Sequence, residues 1–292
     1  DKWNYKIIGI YSGSNAKTNQ KRDELITETP PTFDSNTTFL SNKSEAILRP
    51  SITYDLGSGS ELKFGSEFAY NTVEAGLDAN ALVTVKETRS ESFINYTGKL
   101  TSALSLDSAL KYEYSKISQI SISRNHSEKF SFLKPSIDLR YDQNPQNQFQ
   151  FSVRRDVSQL DFNDFAASID EDDIFFGGNQ NLVPEKSWDF EVSYERRFLN
   201  DQGHIKFGLE HRRISDHIEF IEVAPNVAGV GNVGSATQNT ASISTSLKFG
   251  FIGLENVVLV GSFEIFDTNT IDAFTRNHRD INDDQSFAST GI

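Results

Sequence analysis

From Glu185 to Phe198 the chain alternates residue by residue. Trp188, Phe190, Val192, Tyr194 and Phe198 fall on one face, interrupted only by Arg196; Ser187, Asp189, Glu191, Ser193, Glu195 and Arg197 fall on the other. A period of two is the period of a β-strand. The same pattern recurs from end to end. Trp3, Tyr5, Ile7, Gly9 and Tyr11 define a first strand, and Ala46 to Leu56 and Leu62 to Tyr70 a second and third. Ile94 to Leu100, Leu106 to Tyr114, Leu133 to Tyr141 and Phe149 to Val153 predict four more. After the stretch at Glu185 come Ile205 to about Glu222, Ile243 to Phe251 and Val257 to Ile265, which brings the expected total to about eleven strands.

The connections alternate in length. Short turns are expected at 57–60, 101–103, 143–147, 200–203 and 253–254. Long or medium segments lie between them at 13–43, 74–83, 117–129, 156–184 and 223–235, and the remainder, 267–292, is polar. The segment 117–129 reads as a loop or as strand extensions beyond the sheet. Segregating short turns to one end and long loops to the other is the asymmetry of an outer-membrane barrel. It implies antiparallel neighbours without helical crossovers. Most patterns last about 10 residues or more, nearer the ~9–11 of a membrane strand than the ~5–6 of a soluble one. The expected fold class is therefore all-β: an antiparallel up-and-down transmembrane β-barrel, partial. The competing reading, a soluble carbohydrate-binding β-sandwich, would break its strands shorter and would not sort its loops by end.

Composition narrows the chemistry. The 292 residues include 23 Phe and 9 Tyr but no Cys, which excludes disulfides and thiolate-held metals. A net charge of −13 argues against a nucleic-acid partner. No apolar run is long enough for a membrane helix. The chain opens inside a strand pattern and stops without a closing element, so residues 1–292 read as a fragment of one barrel domain.

No catalytic constellation stands out. His126, His204, His211, His217 and His278 are scattered; His211 and His217 share a strand parity, but no third ligand completes a zinc site. Asp170, Glu171, Asp172 and Asp173 lack calcium-loop spacing and read as a solvated acidic loop. Gly229 to Gly234 matches G-x-G-x-x-G, but no helix follows to receive a pyrophosphate, so a flexible glycine-rich loop is expected. The sequence implies no cofactor, no metal and no enzymatic activity.

Short motifs carry a resemblance. Asn179-Gln180-Asn181-Leu182-Val183-Pro184-Glu185-Lys186-Ser187 resembles the N-x-N-L-x-P-E-x-S signature in the barrels of TonB-dependent outer-membrane receptors. Leu133-Lys134-Pro135-Ser136, Phe151-Ser152-Val153-Arg154-Arg155, Ala109 to Tyr114 and Asn232 to Ala236 resemble further strand motifs of that family, in the family's order. The resemblance covers about residues 90–270.

It implies a barrel of about 22 strands around a plug, of which this chain holds a middle or later part. It also implies TonB-driven import of a scarce ligand: a ferric siderophore, haem, cobalamin or a carbohydrate. The implied partners are outer-membrane lipid, the plug domain and TonB complex of the full-length protein, and a small metal chelate or glycan. Ligand would meet the long loops, where Phe162, Phe165, Asp170, Asp172, Asp173, Phe175 and Phe176 are candidates. Lys134, Arg154, Glu191 and Arg197 face the lumen by parity and are candidates for contact with the plug. The alternative is a passive porin or adhesin barrel without a plug.

Overall fold

The computed structural model describes residues 2–24, 33–77, 83–121, 125–165, 168–169, 175–281 and 286–291. They form one sheet. β1 (Trp3–Glu24), β2 (Phe33–Gly57), β3 (Ser60–Leu77), β4 (Val83–Lys99), β5 (Leu104–Ile120), β6 (Asn125–Asn144) and β7 (Asn147–Val157) pair in sequence order. Two short strands follow, β8 (Ser168–Ile169) and β9 (Phe175–Gly177). β10 (Lys186–Phe198) then continues the sheet beside β7, followed by β11 (Gly203–Ala224), β12 (Val227–Lys248) and β13 (Val258–Ile271). β14 (His278–Arg279) and β15 (Ser286–Gly291) both pair with β13. The fold is all-β, antiparallel and up-and-down, an open part of a barrel. All eleven expected strands are present, and β15 adds a twelfth within the stretch expected to be polar remainder.

The register confirms the parity reading. Leu48 opposes Phe68, Ile94 opposes Leu110, and Phe151 opposes Val192. These apolar rows form one continuous face, on which Tyr5, Leu48, Phe68, Phe151 and Leu209 are exposed. The sheet curls around the opposite face, where Glu67, Glu87, Glu113, Ser152 and Ser193 are buried. A water-exposed sheet would invert that arrangement. Exposed aromatics outside and buried carboxylates inside are what lipid on one side and a wet lumen on the other require.

The strands run further than their apolar patterns. Most of the segment expected as the irregular loop 13–43 is ladder: β1 and β2 remain paired from Gly13↔Ser44 to Glu24↔Phe33. The medium connections at 74–83, 117–129 and 223–235 are likewise mostly strand, since β3 reaches Leu77, β5 reaches Ile120 and β11 reaches Ala224. Apolar periodicity ends where lipid ends. Backbone pairing continues because an unpaired polar backbone gains nothing by leaving the ladder.

At the other end the turns are tight. Gly57, Ser58 and Gly59 all take positive φ (85°, 56° and 75°), the conformation a narrow hairpin demands and glycine tolerates. One turn is longer than expected. β12 stops at Lys248, and Phe249–Ile252 coils into a 3-10 turn capped by Gly253. Phe249 and Phe251 therefore do not continue the strand pattern; their rings stack at 6.0 Å instead.

Candidate functional site

The inner face is a ladder of paired charges. Glu67 on β3 receives Arg49 from β2 and Arg89 from β4, the latter at 3.0 Å. Glu87 accepts from Asn71 Nδ2 and Ser115 Oγ, both at 2.9 Å. Lys134 bridges Glu91 and Glu113, its Nζ lying 2.6 Å from the second. Asp189 lies 3.3 Å from Arg212. Glu67, Glu91 and Glu113 oppose one another across β3, β4 and β5, and Arg49, Arg89, Lys111 and Lys134 reach in among these carboxylates.

All four lumen candidates lie on this polar face by register. Arg154 opposes Asp189 and Ser136, and Glu191 opposes Ser152 and Glu210. Glu191 reaches Lys206 at 3.8 Å, and Arg197 pairs with Glu195 at 2.8 Å near the tight-turn end.

Between β7 and β10, residues 160–165 and 179–185 fold inward at the long-loop end. The 3-10 turn, Phe162–Phe165, carries the two buried phenylalanines. With Leu160 and Leu182 they pack against Val73 of β3, Val85 of β4 and Ile117 of β5; Ile218 of β11 and Val230 of β12 close the cluster. An apolar cluster on the inner face of a polar wall is a local exception to the alternation. It exists because the loop brings its own apolar residues to cover the wall. Phe162 and Phe165 are thus enclosed by protein and anchor the loop. Asp170, Asp172 and Asp173 lie outside the described residues. The backbones of Phe175 and Phe176 form β9, where Phe176 and Gly177 run parallel to Ala228 and Gly229 of β12.

The motif from Asn179 to Glu185 is fastened residue by residue. Asn179 Nδ2 donates to the Val230 carbonyl at 2.9 Å, and its own N–H donates to the Asp164 carbonyl at 2.9 Å. Leu182 is among the most enclosed side chains in the chain, 2% exposed. Asn232 clamps the next step: it accepts from Val183 N–H at 3.0 Å and donates to the Val183 carbonyl at 2.9 Å and the Asp216 carbonyl at 2.7 Å. Pro184 is buried just ahead of β10, where its missing N–H costs no ladder bond.

Glu185 accepts from His217 Nδ1 at 2.7 Å and Ile218 N–H at 3.2 Å. The other imidazole nitrogen faces Glu219 at 3.3 Å, and Arg279 reaches Glu219 at 2.6 Å and Asp272 at 3.2 Å. His217 lies past the bulge at Asp216, beyond the level of β11 that faces lipid. The Glu185 carboxylate beside it raises the imidazole's pKa against the cost of burial. Burial would push Glu185 up, but the bonds from His217 and Ile218 outweigh it and hold the carboxyl below its ordinary range.

Two expectations change here. The irregularity at Asp216, which has φ 56°, breaks the ladder locally and pairs His217 with Gly234, so His211 and His217 serve different neighbours. His211 bonds Asn239 instead. The glycine-rich run 229–234 is not a loop but part of β12. A methyl on Gly229 would strike the Gly177 carbonyl, and one on Gly231 would strike Ile221. These glycines serve close packing against the folded-in segment. The sequence flagged Asn179, Glu185 and Asn232 as residues of separate motifs and weighed His217 only as a metal ligand, without joining them; Arg279 carried no signal.

A recess of about 330 Å³ remains on the inner face between the 3-10 turn and β1–β3. Ser12, Ser14, Lys43, Glu45, Asn71 and Asp161 line it above Leu160 and Phe162. Among the described residues there is no cluster able to hold a metal ion.

An outward apolar belt, a polar inner wall and an inward-folded loop define part of a membrane-spanning β-barrel. The chain belongs to the TonB dependent receptor-like β-barrel family, whose model matches residues 1–287. Similar solved structures include the alcaligin outer-membrane receptor FauA from Bordetella pertussis, 14% identical with a TM-score of 0.61 over 95% of this chain and 46% of that one. The copper transporter OprC is 10% identical with a TM-score of 0.71, over 91% and 44%. The ferric yersiniabactin uptake receptor FyuA from Yersinia pestis is 9% identical with a TM-score of 0.64, over 99% and 44%. At such identities the likeness is one of fold. The chain spans less than half the length of these receptors. No curated protein sequence matches it.

Proposed function

We propose that this chain is part of the barrel of an energy-coupled outer-membrane importer of a scarce ligand, in the class of ferric siderophores, haem, cobalamin or carbohydrates. Its supporting observation is the family match along nearly the whole chain. In this reading the long-loop end faces outward, and ligand enters beside the inward-folded segment 158–185. The wall bearing Lys134, Arg154, Glu191 and Arg197 receives a plug supplied by the rest of the protein. Transport, rather than bond-making chemistry, is the role. The neighbours named for alcaligin, copper and ferric yersiniabactin favour a metal or its chelate as cargo. The test is uptake by the full-length protein in its own bacterium, using a panel of labelled ferric chelates, haem, cobalamin and oligosaccharides, with and without a working TonB complex. Accumulation of one ligand that needs both the receptor and TonB is expected. Entry that is unaffected by loss of TonB would make the barrel a passive pore and overturn the proposal.

A further inference from the structure

One stretch of the inner wall leaves its polar groups unpaired. Where β1–β3 rise past the apolar belt, Ser12, Glu45 and Asn71 stand opposite one another in one row, and Ser14, Lys43 and Val73 in the next. Both rows share the inward parity of Glu67, and they line the recess of about 330 Å³ between these strands and the 3-10 turn. Lower on the wall the charges are engaged, Glu67 with Arg49 and Arg89, and Glu113 with Lys134. Here Ser12, Ser14, Lys43 and Glu45 have no side-chain hydrogen bond or ion pair among the described residues. Asn71 is 5% exposed; its Nδ2 donates to Glu87 at 2.9 Å, and its Oδ1 has no hydrogen-bond partner among the described residues. Asp161, brought in by the folded-in segment, accepts the Asn163 N–H at 2.9 Å and Asn163 Nδ2 at 2.8 Å on Oδ1 alone, which leaves Oδ2 for another donor.

These groups decide what fits. Among the lining side chains acceptors outnumber cations: Glu45, Asp161 and the Asn71 carbonyl stand against Lys43 alone. A compact anion would meet two carboxylates with one ammonium, and the lining residues form no cluster able to hold a bare metal ion. A hydroxyl group suits both signs, because it donates to a carboxylate or amide oxygen and accepts from an ammonium or a serine hydroxyl. Several hydroxyls on one ring can meet Glu45, Lys43 and Asn71 together, while the C–H face of that ring lies on the apolar floor of Leu160 and Phe162. A hydroxyl seated against Asn71 also supplies a donor to a buried acceptor that otherwise lacks one, the arrangement buried amides require. The volume lies at the lower end of the ~300–1,000 Å³ of small-ligand sites.

We propose that this recess is a binding site for a neutral polyhydroxylated ring, a sugar, held by Lys43, Glu45 and Asn71. The inference rests on the importer reading above and narrows its cargo: the ring arrives either in a free oligosaccharide or as a glycosyl group on a metal chelate. The full-length receptor, purified in non-ionic detergent, would be titrated by calorimetry with gluco-, galacto-, manno- and xylo-trisaccharides. A ferric catechol chelate bearing glucosyl groups, and the same chelate without them, complete the set. Saturable binding of at least one sugar-bearing probe is expected. A trisaccharide that binds identifies a free glycan as the source. A glucosylated chelate that binds about tenfold tighter than its plain counterpart, with no trisaccharide bound, identifies a chelate. Lys43→Ala/Glu45→Ala removes two charged partners of the ring and should weaken that binding about tenfold or more, while Glu61→Ala, at the tight-turn end of β3, should leave it unchanged. Failure of every sugar-bearing probe to bind the unmodified receptor overturns the proposal, as does equal binding of the two chelates with no trisaccharide bound; both outcomes hold whether or not the double variant folds. Undiminished affinity in the double variant, or an equal loss in Glu61→Ala, overturns it too. TonB-independent uptake with sugar binding intact would strike only the transport reading, and TonB-dependent uptake of a sugar-free ligand by a receptor that binds no sugar would strike only the recess.

Discussion

Asn232 and His217 hold the motif segment from outside it, and each carries a separable consequence. Asn232→Ala would leave both backbone groups of Val183 and the Asp216 carbonyl without their partner. Unsatisfied buried groups of this kind cost about 1–3 kcal/mol each, less where water can enter. Amide exchange in 180–185 is expected to speed at least tenfold while the strand ladders keep their protection; unchanged exchange would show that the clamp is redundant. His217 makes the same segment pH-sensitive. Its folded-state pKa is raised, so the imidazolium's contribution is fully present below about 6.5, the ordinary imidazole value, and is lost as pH rises through the folded value. The Glu185 carboxyl is lowered, so its contribution is present above the ordinary carboxylate range and is lost only at acid pH. Proteolytic nicking beside 179–185 should therefore increase as pH rises above the ordinary imidazole value, and His217→Asn should flatten that dependence.

At the scale of elements, the inward-folded segment depends on its apolar cluster. Leu182→Ala would leave a cavity between the 3-10 turn and β3–β5, at about 2–5 kcal/mol by analogy with core truncations. Release of the segment to protease, with the barrel still resistant to denaturation by detergent, is the expected result; simultaneous loss of both would mean the cluster holds the sheet as well. Much of this level could be read beforehand. The alternation at Trp188 to Phe198 and at Leu133 to Tyr141 set strand and face correctly. The polar hairpin of β1 and β2 beyond Gly13 escaped detection because both its faces are polar, which erases the period-two signal. β9 escaped because three residues are too few to show a period. The packing of Phe162 and Phe165 was visible only as a loose apolar spacing, since their partners come from β3, β4, β5 and β11.

For the molecule as a whole, the assignment of faces to lipid and lumen makes a direct prediction. Phe68 is outward, 51% exposed, in the middle of β3 between Phe64 and Tyr70. Phe68→Arg in the full-length receptor should reduce folding stability by up to about 2–4 kcal/mol in bilayers, the cost of a cation at mid-membrane depth. The loss would appear as less of the fast-migrating folded form on unheated gels. Wild-type assembly of that variant would argue that this face does not meet lipid. The inner charges are coupled across several strands, so removing one carboxylate such as Glu67 strands two arginines rather than one.

The period-two pattern by itself determined eleven of the strands, the faces of their apolar stretches and the all-β antiparallel class, because alternation is a local property of extended chain. The motif from Asn179 to Ser187 marked the family for the same reason, being contiguous. Tertiary structure decided the rest. The irregularity at Asp216 set the pairing of His217, Asn232 reached back across the sheet to Val183, and the glycines of β12 made room for the folded-in segment. Each depends on residues brought together by sheet curvature and register, which a linear pattern does not encode.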